Sequence, residues 1–444
     1  MASACCRGPA EWNDWTEWLM VGLHGRNRWR LPVLLAGMLF AQGRRTVSTW
    51  LRAAGVSPDY ADYYYFLASV GRNAESVSRR LLELVLRVLP LPERVLLVLD
   101  DSPTKRYGPK VEGADIHHNP TPGPADQQFL YGHVWVTLSL AVRHPSWGAM
   151  ALPLRAMLYV RERTLASIPR CRKWTFRTKL QMASTLLAWA AAILQGAGKK
   201  VWIAADGAYA KRIFLEAARK SDATVVSRLR KDAALFDLPP PKKPGARGRP
   251  RMYGIHRISL AKRAGQRRGW QSLTCTLYGR DATKTYKTFL ATYRPAGGVI
   301  RVVLVKEEHG WFAFFCTDPS ATVKQILEAF ADRATIEQNF HDQKEVWGTG
   351  QQQVRNIWTN VGVFHMNLWL HTLVELWAWH KTHDQLCDRT DSPWDDQERR
   401  PSHANRRKAL RQQFIQNELR GITSHRSVPK KILDFTHWLA SLAA

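Results

Sequence analysis

Residues 94–102 read RVLLVLDDS. Every position from Val95 to Leu99 is apolar, and the run then stops on two acids, Asp100 and Asp101. So short a run, with no polar alternation, predicts a strand buried on both faces. Residues 200–206, KVWIAAD, repeat the arrangement and end at Asp206. In an α/β sheet, polar chemistry projects from the ends of such strands. A single acid after a strand is more often a cap or turn residue, so a functional reading needs a third element.

Around these strands lie others. HVWVTLSLAVRH (133–144) and MALPLRAMLYV (150–160) read as strands, RTKLQMASTLLAWAAAIL (177–194) and YAKRIFLEAARK (209–220) as helices, and ATVVSRL (223–229) as a strand. The order is three strands, helix, strand, helix, strand, which predicts a mixed α/β fold. Before it, residues 11 to 90 carry helical periodicity in LPVLLAGMLFA and VSRRLLELVLRVL, with scattered Arg and Tyr. That unit suits DNA docking; it reads equally as a helical packing unit with solvated arginines. After the core, DLPPPKKPGARGRPRMYG (237–254) cannot hold a regular element. Short strand-like runs follow: LTCTLYG, YKTFLATY, VIRVVLVKE and WFAFFCTD. Helical signals return from Thr322 through Lys344 and on to about residue 380, and the last stretch is polar, basic and helical.

The bulk numbers narrow the partner. Lys and Arg total 65 against 37 Asp and Glu, a net charge of +28, in 444 residues that are 45% hydrophobic. A folded chain this basic favours a polyanion, and phosphate backbones are the commonest one. The six cysteines form no CxxC pair or zinc-like spacing, which reads as unpaired thiols in a reducing compartment. The longest apolar stretch, Val361 to Trp379, is interrupted by His365, Asn367, His371 and Glu375, so a buried helix is expected and no membrane span. The expected setting is cytoplasmic.

The third acid sits in AFADRATIEQNFHDQKEVWG (329–348). At about 100° per residue, Phe330, Arg333, Glu337 and Lys344 share one helical stripe. An ordinary ion-paired helix face would look the same. The chemistry favours more: phosphodiester transfer needs an activated oxygen nucleophile and a stabilised leaving oxygen, and a pair of Mg²⁺ ions supplies both. Mg²⁺ prefers carboxylate and phosphate oxygens. Asp100, Asp206 and Glu337 could hold such a pair, with Arg333 and Lys344 gripping phosphates beside them.

With these residues in view, the chain resembles a DDE transposase of bacterial insertion sequences, in the branch marked Y-(2)-R-(3)-E-(6)-K. Here the motif reads F-(2)-R-(3)-E-(6)-K, with Phe330 in the Tyr position. LVLDDS carries the first Asp, and IAADGAY the second with Gly and an aromatic after it. The resemblance implies an RNase H-like catalytic core with a β-rich insertion, flanked by helical N- and C-terminal regions. The divisions it suggests are a helical DNA-binding domain at 1–90, core at 91–230, basic β-rich insertion at 231–300, core at 301–380 and a basic helical region at 381–444. It further implies Mg²⁺-dependent cleavage at terminal inverted repeats, with Mn²⁺ tolerated, then strand transfer, with a hairpin route for the second strand. The implied partners are double-stranded DNA, as transposon ends and target, and a second copy of the chain. The family's D-x-(S/T) pattern selects Asp100 as the first ligand; strand hydrophobicity alone could select Asp101.

Three further features bear on DNA. Lys105 and Arg106 follow the first acids and are candidates for phosphate contact. Arg247 and Arg249 lie in an RGRP sequence that resembles an AT-hook core and reads also as a solvated basic linker. Trp270, within the expected insertion, is the candidate to stack on an unpaired base.

Overall fold

The computed structural model describes residues 8–56, 58–119, 127–242, 245, 247–390, 392 and 394–423. Cys5, Cys6 and the last part of the expected basic C-terminal region lie outside these residues. Five helices open the chain: α1 (Ala10–Met20), α2 (Arg30–Phe40), α3 (Val47–Ala53), α4 (Tyr60–Arg72) and α5 (Ala74–Val88). Then come β1 (Arg94–Lys105), β2 (Asp115–His118), β3 (Phe129–His144), β4 (Gly148–Tyr159), α6 (Lys179–Gly196), β5 (Lys200–Ala205), α7 (Arg212–Lys220) and β6 (Thr224–Leu229). A second strand-rich stretch holds β7 (Leu235–Phe236), β8 (Arg257–Ile258), α8 (Leu260–Gly265), β9 (Gln271–Leu277), β10 (Arg280–Tyr293), β11 (Gly298–Glu307) and β12 (Gly310–Cys316). The described residues finish in helices α9 (Val323–Asp332), α10 (Thr335–Glu345), α11 (Ile357–Ala378), α12 (His383–Leu386) and α13 (His403–Thr423).

All the strands join one sheet. Its first half runs β4-β3-β1-β5-β6: β1, β3 and β4 are antiparallel, while β5 and β6 continue parallel to β1. β12 then adds antiparallel to β6, and β11, β10 and β7 follow. The antiparallel block therefore continues to Cys316, and the boundary expected at residue 300 falls inside β11. Arg247 and Arg249 are exposed in irregular backbone ahead of β8.

Two expectations change. The acids of β1 do not lie on a loop after the strand. β3 stays paired with β1 as far as Lys105, so Asp100 and Asp101 sit within it, although β5 has already ended beside Leu99. The helix expected to run unbroken through Phe330, Arg333, Glu337 and Lys344 is two helices. At the junction the N–H groups of Arg333, Ala334, Ile336 and Glu337 each reach back three residues, tightening the turn and ending α9 before α10 starts.

α11 is apolar on nearly every side and buried along its length, as a helix at the centre of a core should be. One flank meets β4, the other α4. Gly71 and Gly362 permit the α4 contact: a Cβ at Gly71 would stand 1.9 Å from the Trp358 carbonyl oxygen, and one at Gly362 2.0 Å from that of Leu67. Core residues of α1 to α5 belong to the same hydrophobic cluster as Leu97, Leu138 and Leu370. The N-terminal helices thus share one core with the sheet. α13 closes over them, with Phe414 edge-on to Trp12 and Phe40.

Candidate active site

The parallel register decides where two of the three acids meet. Leu99 pairs with Ala205, so Asp100 and Asp206 are the next residues on adjacent strands. Neighbouring strands lie about 4.8 Å apart, and residues in step on parallel strands point to the same face. Val98 and Ala204, two residues earlier, bury against Ile336 of α10 on that face. Asp100 and Asp206 thus lie on the side of the sheet that α10 covers. Asp206 is half-buried, and its Oδ2 accepts the Ala208 N–H at 3.2 Å.

The third acid comes down from α10. Arg333, in the turn before that helix, donates from Nη1 to Asp100 Oδ2 at 2.6 Å and from Nη2 to Glu337 Oε1 at 2.9 Å. One guanidinium bridges an acid on β1 and an acid on α10, 233 and 4 residues away in sequence. Arg333 and Asp100 are mostly buried, at 15% and 22% side-chain exposure, whereas Glu337 is 61% exposed and faces solvent. Burial pushes the Asp100 carboxyl up to about 6; Arg333 opposes the rise and the neighbouring Asp206 adds to it. Phe330 packs at a tilt against Phe314, 4.8 Å between centroids, and lies beneath the Arg333 guanidinium at 5.5 Å, so its ring supports the arginine.

Asp101 points the other way, as alternation along a strand requires. Its Oδ1 accepts the Tyr209 hydroxyl at 2.6 Å and its Oδ2 the Lys179 ammonium at 2.6 Å. Arg106 is buried and occupied: Nε donates to His133 Nδ1 at 3.1 Å, and Nη1 to the carbonyls of Gly350 and Gln352. Lys105 is exposed at the end of β1, and Lys344 is half-buried near the end of α10. Trp270 is half-buried, donates Nε1–H to the Gln266 carbonyl, and has the Lys287 ammonium 4.8 Å from its ring. From Gly207, the residue after Asp206, a cleft of about 200 Å³ runs past Arg228, Arg230, Lys231, Trp311 and Phe312.

The sequence reading missed a second polar cluster. His371 and Glu375 of α11 and His403 of α13 bring ligand-type atoms within 4.8 Å of one another. The signal was present: Asn367, His371 and Glu375 recur every fourth residue in an otherwise apolar helix. His403 and Glu375 are committed to the fold, whereas His371 has Nε2 beside the Asn339 amide nitrogen at 3.0 Å and Nδ1 buried without a partner. His403 Nδ1 donates to Glu375 Oε1, its Nε2 accepts the Trp347 indole N–H at 2.8 Å, and Arg406 holds Glu375 Oε2 at 2.6 Å. The indole donor makes Nε2 the lone-pair nitrogen and so keeps the proton on Nδ1, where a metal would need the lone pair. Burial alone would raise Glu375, but Arg406 and His403 outweigh it and hold the carboxylate well below its usual range. This network ties α13 to α11. His403 and Glu375 are thus spent on the fold, while the three all-oxygen acids at Asp100, Asp206 and Glu337 suit a hard divalent ion.

Two carboxylates at adjacent strand positions and a third on α10 thus face one side of a mixed sheet. The family described as DDE superfamily endonuclease matches residues 19–289, more than half of the chain, and the protein belongs to it. The matched segment includes Asp100 and Asp206 and stops before Glu337. No curated protein matches the chain. Among the described residues, no helix is long and apolar enough to cross a membrane.

Proposed function

We propose that this DDE superfamily endonuclease is an insertion-sequence transposase. It cuts DNA at terminal inverted repeats and joins the freed ends to target DNA. Asp100, Asp206 and Glu337 serve as its metal-binding carboxylates. The observation that carries the reading is the Arg333 bridge between Asp100 and Glu337, with Asp206 in step beside Asp100. A positive group already sits where negative oxygens from three separate elements gather. Asp100 is preferred over Asp101 because Asp101 lies on the opposite face of the sheet, where it holds Tyr209 and Lys179. The strand order β4-β3-β1-β5-β6, three antiparallel and then two parallel, supports the RNase H-like core.

A bound Mg²⁺ pair, which Mn²⁺ could replace, supplies a more acidic attacking hydroxyl and neutralises the leaving oxygen. The protein's own groups do the rest. Asp100 and Asp206 would hold the cations from adjacent chain segments at the strand ends, and Glu337 would close the site from the solvent side. Arg333 has one face on the carboxylates and can move to the scissile phosphate when cations take its place. In cleavage, water attacks phosphorus and the bond to the 3′-oxygen breaks, freeing a 3′-hydroxyl. In joining, that hydroxyl attacks a target phosphodiester, so one P–O bond forms for each one broken. Lys344 and Lys105 are assigned to the phosphates, and the cleft with Arg228, Arg230 and Lys231 offers a basic path for a strand leaving Asp206. Arg247 and Arg249 are assigned to DNA on the exposed loop. Trp270 is retained as the stacking candidate on the hairpin route, and pairing of two ends calls for a dimer. Arg106 is not assigned to a phosphate, because the side chain is buried and its Nε and Nη1 are engaged inside the fold.

Cleavage and strand-transfer assays with Mg²⁺, on DNA carrying the element's ends, test the proposal. Joined products are expected. Glu337→Gln should bind the same DNA and neither cut nor join. Cutting by that variant at the parent rate overturns the carboxylate assignment, and cutting without joining by the parent reduces the protein to a nuclease.

A further inference from the structure

The β1–β5 ladder stops at Leu99 and Ala205, one residue short of both acids. Asp100 and Asp206 are like charges, and nothing in that ladder holds them at a set separation. The next link between the two chain segments is made by side chains. Tyr209 lies three residues after Asp206, and its N–H donates to the Asp206 carbonyl at 2.9 Å. Its hydroxyl crosses to Asp101, the neighbour of Asp100, at 2.6 Å. Tyr209 is 3% exposed, and its ring lies edge-on to Phe214 of α7 at 6.3 Å. Lys179, the first residue of α6, completes the set at 2.6 Å and balances the Asp101 charge on the face away from the other acids.

We propose that Tyr209, Asp101 and Lys179 form a brace that fixes the spacing of Asp100 and Asp206, with Tyr209 a positioning residue for divalent-cation binding. The inference rests on the reading of Asp100 and Asp206 as cation ligands. The brace joins β1, the loop after β5 and the start of α6 through two short charge-assisted bonds. It also holds Asp101 on the face opposite Asp100 and Asp206. Outer partners that orient metal ligands typically change affinity about 10- to 100-fold when removed. Tyr209→Phe removes only the hydroxyl and keeps the buried ring.

The test measures Mn²⁺ binding to the full-length chain directly, by electron paramagnetic resonance of the free ion, alongside melting in EDTA. Tyr209→Phe should bind Mn²⁺ about 10- to 100-fold more weakly and melt in EDTA close to the parent. Lys179→Met should shift binding in the same direction, and Asp206→Asn should abolish it. If Asp206→Asn loses Mn²⁺ while Tyr209→Phe binds as the parent does, the brace is wrong and the ligand assignment stands. If Asp206→Asn also binds at parent affinity, the ligand assignment falls and takes the brace with it. Should Tyr209→Phe melt early, Lys179→Met, at a partly exposed position, decides: parent-like Mn²⁺ affinity in that variant overturns the brace.

Discussion

Replacing Asp100 by Asn should make the metal-free protein more stable while removing its activity. Burial raises this carboxyl from 3.8 to about 6 despite Arg333. The folded protein therefore holds the proton more tightly than the unfolded chain. The charged form begins to cost stability as pH rises above 3.8, and the cost is complete above about 6. At about 1.4 kcal/mol per pH unit, the rise is worth about 3 kcal/mol. The attraction to Arg333 is already inside that net figure, and Asn can keep the acceptor that takes the Asp101 N–H at 2.8 Å. The expected gain is about 2–3 kcal/mol at pH 7.5. Urea unfolding in EDTA reads it, by linear extrapolation at several pH values. The gap between variant and parent should open between pH 4 and 6 and stay level above. Added Mg²⁺ should narrow it, because only the parent gains from binding the ion. An equal gap at pH 4 and pH 7.5, or a less stable variant at pH 7.5, refutes the reasoning.

Other outcomes follow from the same geometry. Arg333→Ala removes the charge that holds Asp100 down, so the acid limb of the cleavage pH profile should move upward, by about 1–3 pH units; an unmoved limb contradicts the pairing. Glu375→Gln leaves Arg406 buried without its counter-charge and should cost about 3–5 kcal/mol in a chemical melt, with DNA cleavage chemistry intact in the surviving fold. DNA affinity should fall steeply with salt, and Lys344→Ala should lower the slope of log affinity against log salt by about 1; an unchanged slope removes Lys344 from the phosphate contacts.

Much of this architecture was written locally in the chain. The apolar runs before Asp100 and Asp206 were legible as buried strands because parallel strands covered on both faces leave no polar alternation. The Arg333–Glu337 pairing was legible from four-residue spacing alone, and it survives the break between α9 and α10 because the tightened turn preserves that contact. What the sequence could not supply depends on tertiary register. The choice between Asp100 and Asp101 turns on which face α10 covers, and the Ile336 packing that settles the facing is far away in sequence. Arg106 looked like a surface cation because basic turns usually are; its burial comes from carbonyls 244 and 246 residues downstream. The continuation of the antiparallel block to Cys316 was hidden for the same reason, since pairing of β12 with β6 is non-local.

Crystals of the DNA complex soaked in Mn²⁺ and measured at its absorption edge test the central claim most directly. The account predicts anomalous peaks among Asp100, Asp206 and Glu337, each about 2.1–2.2 Å from carboxylate oxygens, with the Arg333 guanidinium displaced toward phosphate. Peaks elsewhere, such as between His371 and His403, or none at the three acids, would contradict it.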